Sequence, residues 1–113
     1  MPHLIIEFSQ ELAGAAQVEA LLDAVHRAAA GTGLFEVSHI RVRAMPVAYY
    51  RSGGKREPFI HTQCRLHAGR DAAQKKQLSE AVLSAIREQG WPAKVITVEV
   101  VEMDRSTYAK YSG

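Results

Sequence analysis

Two stretches of helical periodicity, each entered and left through a strand-like run, dominate this sequence and narrow the folds open to it. His3 to Phe8 is apolar with β-branched Ile5 and Ile6, which predicts a strand starting almost at the first residue. Gln17 to Ala30 sets Val18, Leu21, Leu22, Val25 and Ala29 at helical spacing, with Glu19, Asp23 and Arg27 on the other side. Gly31 and Gly33 stop that helix. Ile40 to Tyr50 reads as a second strand, and Pro46 within it implies an edge or a bulge. After a polar loop from Ser52 to Pro58, Phe59 to Leu66 alternates. Ile60, Thr62, Cys64 and Leu66 face one way, and His61, Gln63 and Arg65 the other. Asp71 and Gln74 form a capping box. The helix it opens runs to about Gln89 on Leu78, Val82, Ala85 and Ile86, and Gly90 and Pro92 end it. Val95 to Met103 is rich in β-branched residues and reads as a buried strand. Asp104 to Gly113 is polar and aromatic and predicts no regular element.

The order is β-α-β followed by β-α-β, a loose internal duplication. It predicts an α+β fold in a single domain spanning residues 1–113. One mixed four-stranded sheet carries both helices on one face. Helices on one side leave the other face of the sheet to be explained. A last strand as apolar as Val95 to Met103 should not face water, which predicts burial in an oligomer.

Composition removes several classes of function. Fourteen Lys and Arg against twelve Asp and Glu is too mild an excess to argue for nucleic acid. No segment approaches the length of a membrane span, and the run Leu4 to Phe8, broken by Glu7, is no signal peptide. A single cysteine, Cys64, cannot staple the chain internally, which points to a reducing, cytoplasmic home. The five histidines, His3, His26, His39, His61 and His67, have no metal-ligand spacing and read as structural or surface residues, so no metal is expected. No glycine-rich loop follows a strand, which argues against a nucleotide. The same element order also describes ferredoxin-like RNA-binding domains. Those stack bases on aromatics of a central strand, where this chain offers only Phe59.

The chemistry-bearing candidates are Pro2 and a set of arginines. Methionine before a small second residue is normally trimmed, which leaves Pro2 with a free secondary amine. Burial and nearby cations lower the pKa of such an amine toward neutrality, where a base suits enolisation beside a carbonyl. A strand directly behind Pro2 would pin the amine in place. The plainer alternative is a proline that sits second by chance. Arg41 and Arg43 fall on one side of their strand, and Arg70 precedes a helix N-terminus. Arginine forks match carboxylates, and helix N-termini favour anions. Taken singly, each arginine has a solvated surface residue as its plainer reading.

Pro2-His3-Leu4-Ile5-Ile6-Glu7, then Thr32-Gly33-Leu34-Phe35 followed by Ile40-Arg41-Val42-Arg43, then Ala68-Gly69-Arg70 leading into a helix, lie in a familiar order and spacing. Over about residues 2 to 90 the chain resembles the 5-carboxymethyl-2-hydroxymuconate isomerases of the tautomerase superfamily. The resemblance implies a trimer of β-α-β-β-α-β protomers whose sheets turn inward as a central barrel. It implies Pro2 as general base, and Arg41, Arg70 and Phe35 as substrate-binding residues. It also implies a cofactor-free proton shift on an unsaturated 2-hydroxy or keto di- or tricarboxylic acid from aromatic-compound breakdown. Three features depart from the family. Met45 stands where histidine is common, the loop from Ser52 to Pro58 differs, and the tail lacks the Asn- and His-containing stretch that packs on a neighbouring subunit. The alternative reading is a trimeric ligand-binding or scaffold member without the reaction.

Overall fold

The computed structural model describes residues 1–113. Strand β1 (His3–Ser9) alternates from His3 to Phe8, with Leu4, Ile6 and Phe8 buried and His3, Ile5 and Glu7 half-buried on the opposite face. Helix α1 (Ala15–Gly31) buries Leu21, Ala24, Val25 and Ala29, one stripe of the helix. Gly14 has no side chain to cap that helix, so Gln17 Oε1 reaches back and accepts from Gly14 N–H at 2.6 Å. The chain leaves α1 through Gly33 at φ +72°, a left-handed conformation that favours glycine. Strand β2 (Arg41–Val47) follows, then β3 (Phe59–His67), α2 (Ala72–Glu88) and β4 (Val95–Met103). At the head of α2, Asp71 Oδ1 accepts from Gln74 N–H at 2.8 Å and Gln74 Oε1 from Asp71 N–H at 3.0 Å. This is the reciprocal box that the spacing predicts.

The sheet order is β2-β1-β3-β4. β1 runs parallel to β2 and β3 parallel to β4, while the central pair β1 and β3 is antiparallel. Each half is thus a parallel β-α-β crossover, and both helices are 17 residues long, as a duplication implies. Both helices cover the same face. Leu21, Val25 and Ala29 of α1 and Leu78, Val82 and Ile86 of α2 share one core with Leu4, Ile6, Phe8, Ile60, Cys64 and Leu66. β2 lies at an edge, where Pro46 removes no ladder bond from an inner strand.

One expectation is corrected. β4 is an edge strand, not a buried one. Only Ile96, Val98 and Val100 pack against the core, while Val95 is 42% exposed and Thr97 and Glu99 are open to solvent. The β-branched run misled because such residues suit any half-buried strand, and Thr97 and Glu99 mark the alternation. The helix-free face is mixed in character. Arg41 and Arg43, His3 and Glu7, and His61, Gln63 and Arg65 occupy it among Ile5, Met45, Val101 and Met103. His61 there bonds Thr97 Oγ1 through Nδ1 at 2.7 Å and Glu99 Oε2 through Nε2 at 2.6 Å. No helix is long and apolar enough to cross a membrane.

Candidate active site

Pro2 sits where the parallel and antiparallel ladders begin. Its side chain is buried, and its carbonyl accepts from Arg41 N–H at 3.0 Å, which fixes the N-terminus to β2. On the other side β1 pairs with β3 in the register His3 to Arg65. Two steps further out, that register sets Met1 across from His67. A cleft of about 480 Å³ opens here, walled by Met1, Pro2, Leu34, Phe35, Glu36, His39, Leu66, His67, Arg70 and Arg105.

Three elements deliver its polar groups. Gly69 takes φ +127°, which only glycine adopts without strain, and turns the chain so that Arg70 heads α2. Arg70 Nη2 donates to Leu34 O at 2.6 Å, and its guanidinium lies 5.0 Å from the centre of the Phe35 ring. The tail supplies Arg105, whose Nε donates to Ala68 O at 3.2 Å. Both arginines are tied to backbone carbonyls, which leaves the rest of each planar fork for an anion. The tail is folded back by Asp104, whose Oδ1 accepts from Ser106 N–H at 2.9 Å and Ser106 Oγ at 2.7 Å. Those two bonds hold the Asp104 carboxyl below the usual carboxylate range. The third contributor is the short 3₁₀ turn Val37–His39, where His39 Nε2 lies 3.2 Å from Glu36 Oε2.

The electrostatics favour a neutral base and an anionic ligand. Burial, and after it the charges of Lys110, Arg105, Arg70 and Arg41, hold the Met1 α-amine below its ordinary pKa. Of these cations, Arg70 and Arg105 wall the same cleft as Pro2. Burial, then the N-terminal charge, Arg105 and Arg70, likewise depress the His67 imidazole.

Of the residues singled out from sequence, Pro2, Phe35 and Arg70 share this cleft. Arg41 stays outside its walls, with Nη1 donating to Ser38 O at 2.9 Å. Arg43 turns to a second cleft of about 430 Å³ on the helix-free face, lined also by His3, Arg65 and Tyr108. Tyr108 lines this second cleft and touches His67 of the first. Its hydroxyl lies 2.9 Å from His3 Nε2, and its ring meets His67 edge-on at 4.7 Å. Arg43 Nη1 lies 3.3 Å from His3 Nδ1. An arginine can only donate, so His3 Nδ1 accepts and its Nε2–H donates to Tyr108. Sequence reasoning missed His39, His67 and Arg105. For His67 a signal existed, since it directly precedes Ala68-Gly69-Arg70 and an antiparallel β1–β3 pair carries it to the N-terminus. Nothing local marks Arg105.

A four-stranded mixed sheet with two helices on one face and the N-terminus at a cationic cleft is the tautomerase-like β-α-β-β-α-β fold. The sequence model of 5-carboxymethyl-2-hydroxymuconate isomerase matches residues 2–110, and this chain belongs to that family. A 5-carboxymethyl-2-hydroxymuconate isomerase from Deinococcus radiodurans R1 superimposes with a TM-score of 0.84 at 20% identity, covering 99% of this chain and 90% of that one. A fused 4-OT wild type symmetric trimer gives 0.83 at 21% identity, over 98% and 93% of the two chains. An FG41 malonate semialdehyde decarboxylase inhibited by 3-bromopropiolate gives 0.77 at 15% identity, over 97% and 89%. No curated protein matches the chain in sequence. At these identities the structural likenesses speak for the fold alone, and that fold carries more than one reaction.

Proposed function

We propose that this protein is a cofactor-free isomerase that moves a proton on an unsaturated 2-hydroxy or 2-oxo di- or tricarboxylate such as 5-carboxymethyl-2-hydroxymuconate. Pro2, freed of Met1, is the base. The observation that carries the reading is the shared cleft of Pro2, Phe35, Arg70 and Arg105 at the N-terminal end of the central strands. The neutral prolyl nitrogen takes a proton from the carbon beside the carbonyl, or from the dienol hydroxyl, and returns it further along the conjugated system. Arg70 holds a carboxylate and opposes the growing negative charge, while Phe35 packs on the conjugated chain. Arg41 lowers the amine's proton affinity and also binds carboxylate where the assembled molecule brings it to the cleft. The acting species is a homotrimer, with the polar helix-free faces turned inward. Family membership and the trimeric relative support this assembly.

The test combines three measurements on natively expressed protein. Intact mass should show a chain beginning at Pro2. A panel of 2-hydroxymuconate-type acids and phenylenolpyruvate should include a substrate that is turned over without added metal or cofactor. Sedimentation equilibrium should give three times the chain mass. A stable monomer at micromolar concentration overturns the assembly. No turnover by verified Pro2-initiated protein favours a ligand-binding or scaffold role.

A further inference from the structure

The geometry points to His67 as a second catalytic residue of this cleft, one that donates a hydrogen bond from Nε2–H to the oxygen on which negative charge develops while Pro2 holds the proton. The inference rests on the isomerase reading above and names a role for a side chain outside the motifs that suggest that reading.

The argument begins with the two imidazole nitrogens. His67 Nδ1 is buried and has no hydrogen-bond partner. Nε2 is not buried in this way, and the only cleft that His67 lines is the one it shares with Pro2, Arg70 and Arg105. A neutral imidazole carries one N–H and one lone pair. An unpaired N–H is the costlier group to bury, so the lone pair belongs on Nδ1 and the proton on Nε2. Protonating Nδ1 would place an unpartnered charged N–H in a buried position. The charged groups facing the ring oppose it as well: Arg70 and Arg105 are cationic, and so is the N-terminal amine once it holds the substrate proton. Glu36, also in the cleft wall, is paired with His39. His67 therefore stays neutral and presents a fixed donor to the cleft.

The ring is also held in place. Tyr108 meets it edge-on at an interplanar angle of 89°. Tyr108 in turn accepts from His3 Nε2–H, and His3 accepts from Arg43. His67 is the last residue of β3, anchored next to Met103 of β4 and two register steps outward from the His3–Arg65 pair. A neutral, immobilised donor beside a base is an arrangement that stabilises an enolate without itself giving up a proton. In the step it serves, the C–H electron pair becomes the new C=C bond. The carbonyl π pair moves to oxygen, the proton goes to the Pro2 nitrogen, and the Nε2–H bond stays intact.

The test uses Pro2-initiated protein and its best substrate from the panel. H67F keeps a ring against Tyr108 and removes the donor. H67Q keeps an N–H donor of similar reach. H67F should lower kcat by about 10- to 100-fold with KM changed less than about threefold. H67Q should retain most of the activity. An H67F variant with parental kcat overturns the role of His67 and leaves the isomerase reading intact, whereas an inactive parent overturns the reading itself. Long-range ¹H–¹⁵N NMR of the parent imidazole provides a readout that does not depend on turnover or on the folding of a variant. The Nε2–H tautomer at pH 6–8 is expected. An Nδ1–H tautomer, or an imidazolium at pH 6.5, overturns the proposal.

Discussion

Replacing Arg70 with alanine separates the two things this residue does in the cleft. Its guanidinium donates to Leu34 O at 2.6 Å and stacks on Phe35 at 5.0 Å, and its charge is one of four that depress the N-terminal amine. A charged hydrogen-bonding partner lost from a bound carboxylate costs about 1.5–3 kcal/mol, roughly 10- to 150-fold in kcat/KM. Loss of the Leu34 bond and the stacked pair at a half-exposed site costs stability of about 1 kcal/mol, or about 4 °C in Tm for a chain of this length. The charge acts separately on the pH profile. The base works when neutral, so activity is present above the amine's pKa and lost as pH falls through it. Arg70 lowers that pKa, so R70A should raise it and move the ascending limb of log(kcat/KM) to higher pH. R70K keeps the charge without the planar fork. Its limb should stay near the parental position while kcat/KM still falls. The assay is kcat/KM for an acidic substrate from pH 5 to 9, with all three proteins verified by mass to begin at Pro2. Parental kcat/KM and an unmoved limb in R70A would refute the reasoning. So would an R70K limb displaced as far as that of R70A.

Protein that retains Met1 should keep its fold by circular dichroism and lose its turnover, because the Pro2 nitrogen is then an amide. P2A, which keeps a primary amine, should be slowed rather than inactive, and full activity with Met1 in place would contradict the mechanism. Thr62 is fully buried on the core face of β3, and its Oγ1 has no partner. T62V should therefore raise the denaturation midpoint by roughly 1 kcal/mol of stability at unchanged m-value, and a lowered midpoint would show that the hydroxyl is satisfied in solution. Burial, with a smaller contribution from Glu99, pushes the Cys64 thiol up to about 12. It should resist thiol reagents at pH 8 until the protein is unfolded, and rapid labelling of the native protein would contradict its place in the core.

Everything that depends on neighbours a few residues apart was legible in the sequence. The alternation of Ile60, Cys64 and Leu66, the stripe Leu78, Val82 and Ile86, the Asp71–Gln74 cap and the glycines that end both helices act locally, so their periods and spacings define the six elements. Family motifs extended that reading to Pro2, Phe35 and Arg70, which the fold brings to one cleft. What required the tertiary structure was which strand lies beside which. Strand order is set by crossovers across the whole sheet, and it places β4, which reads from sequence as a buried strand, at an edge. The same non-local pairing carries His67 from the end of β3 to the N-terminus, 66 residues away in sequence by its number. Arg105 reaches the cleft, and Tyr108 reaches His67 beside it, because the tail folds back on Asp104 and docks on Ala68 and His3. No periodicity in a ten-residue polar tail encodes that path. It follows from hydrogen bonds to partners that only the folded chain assembles.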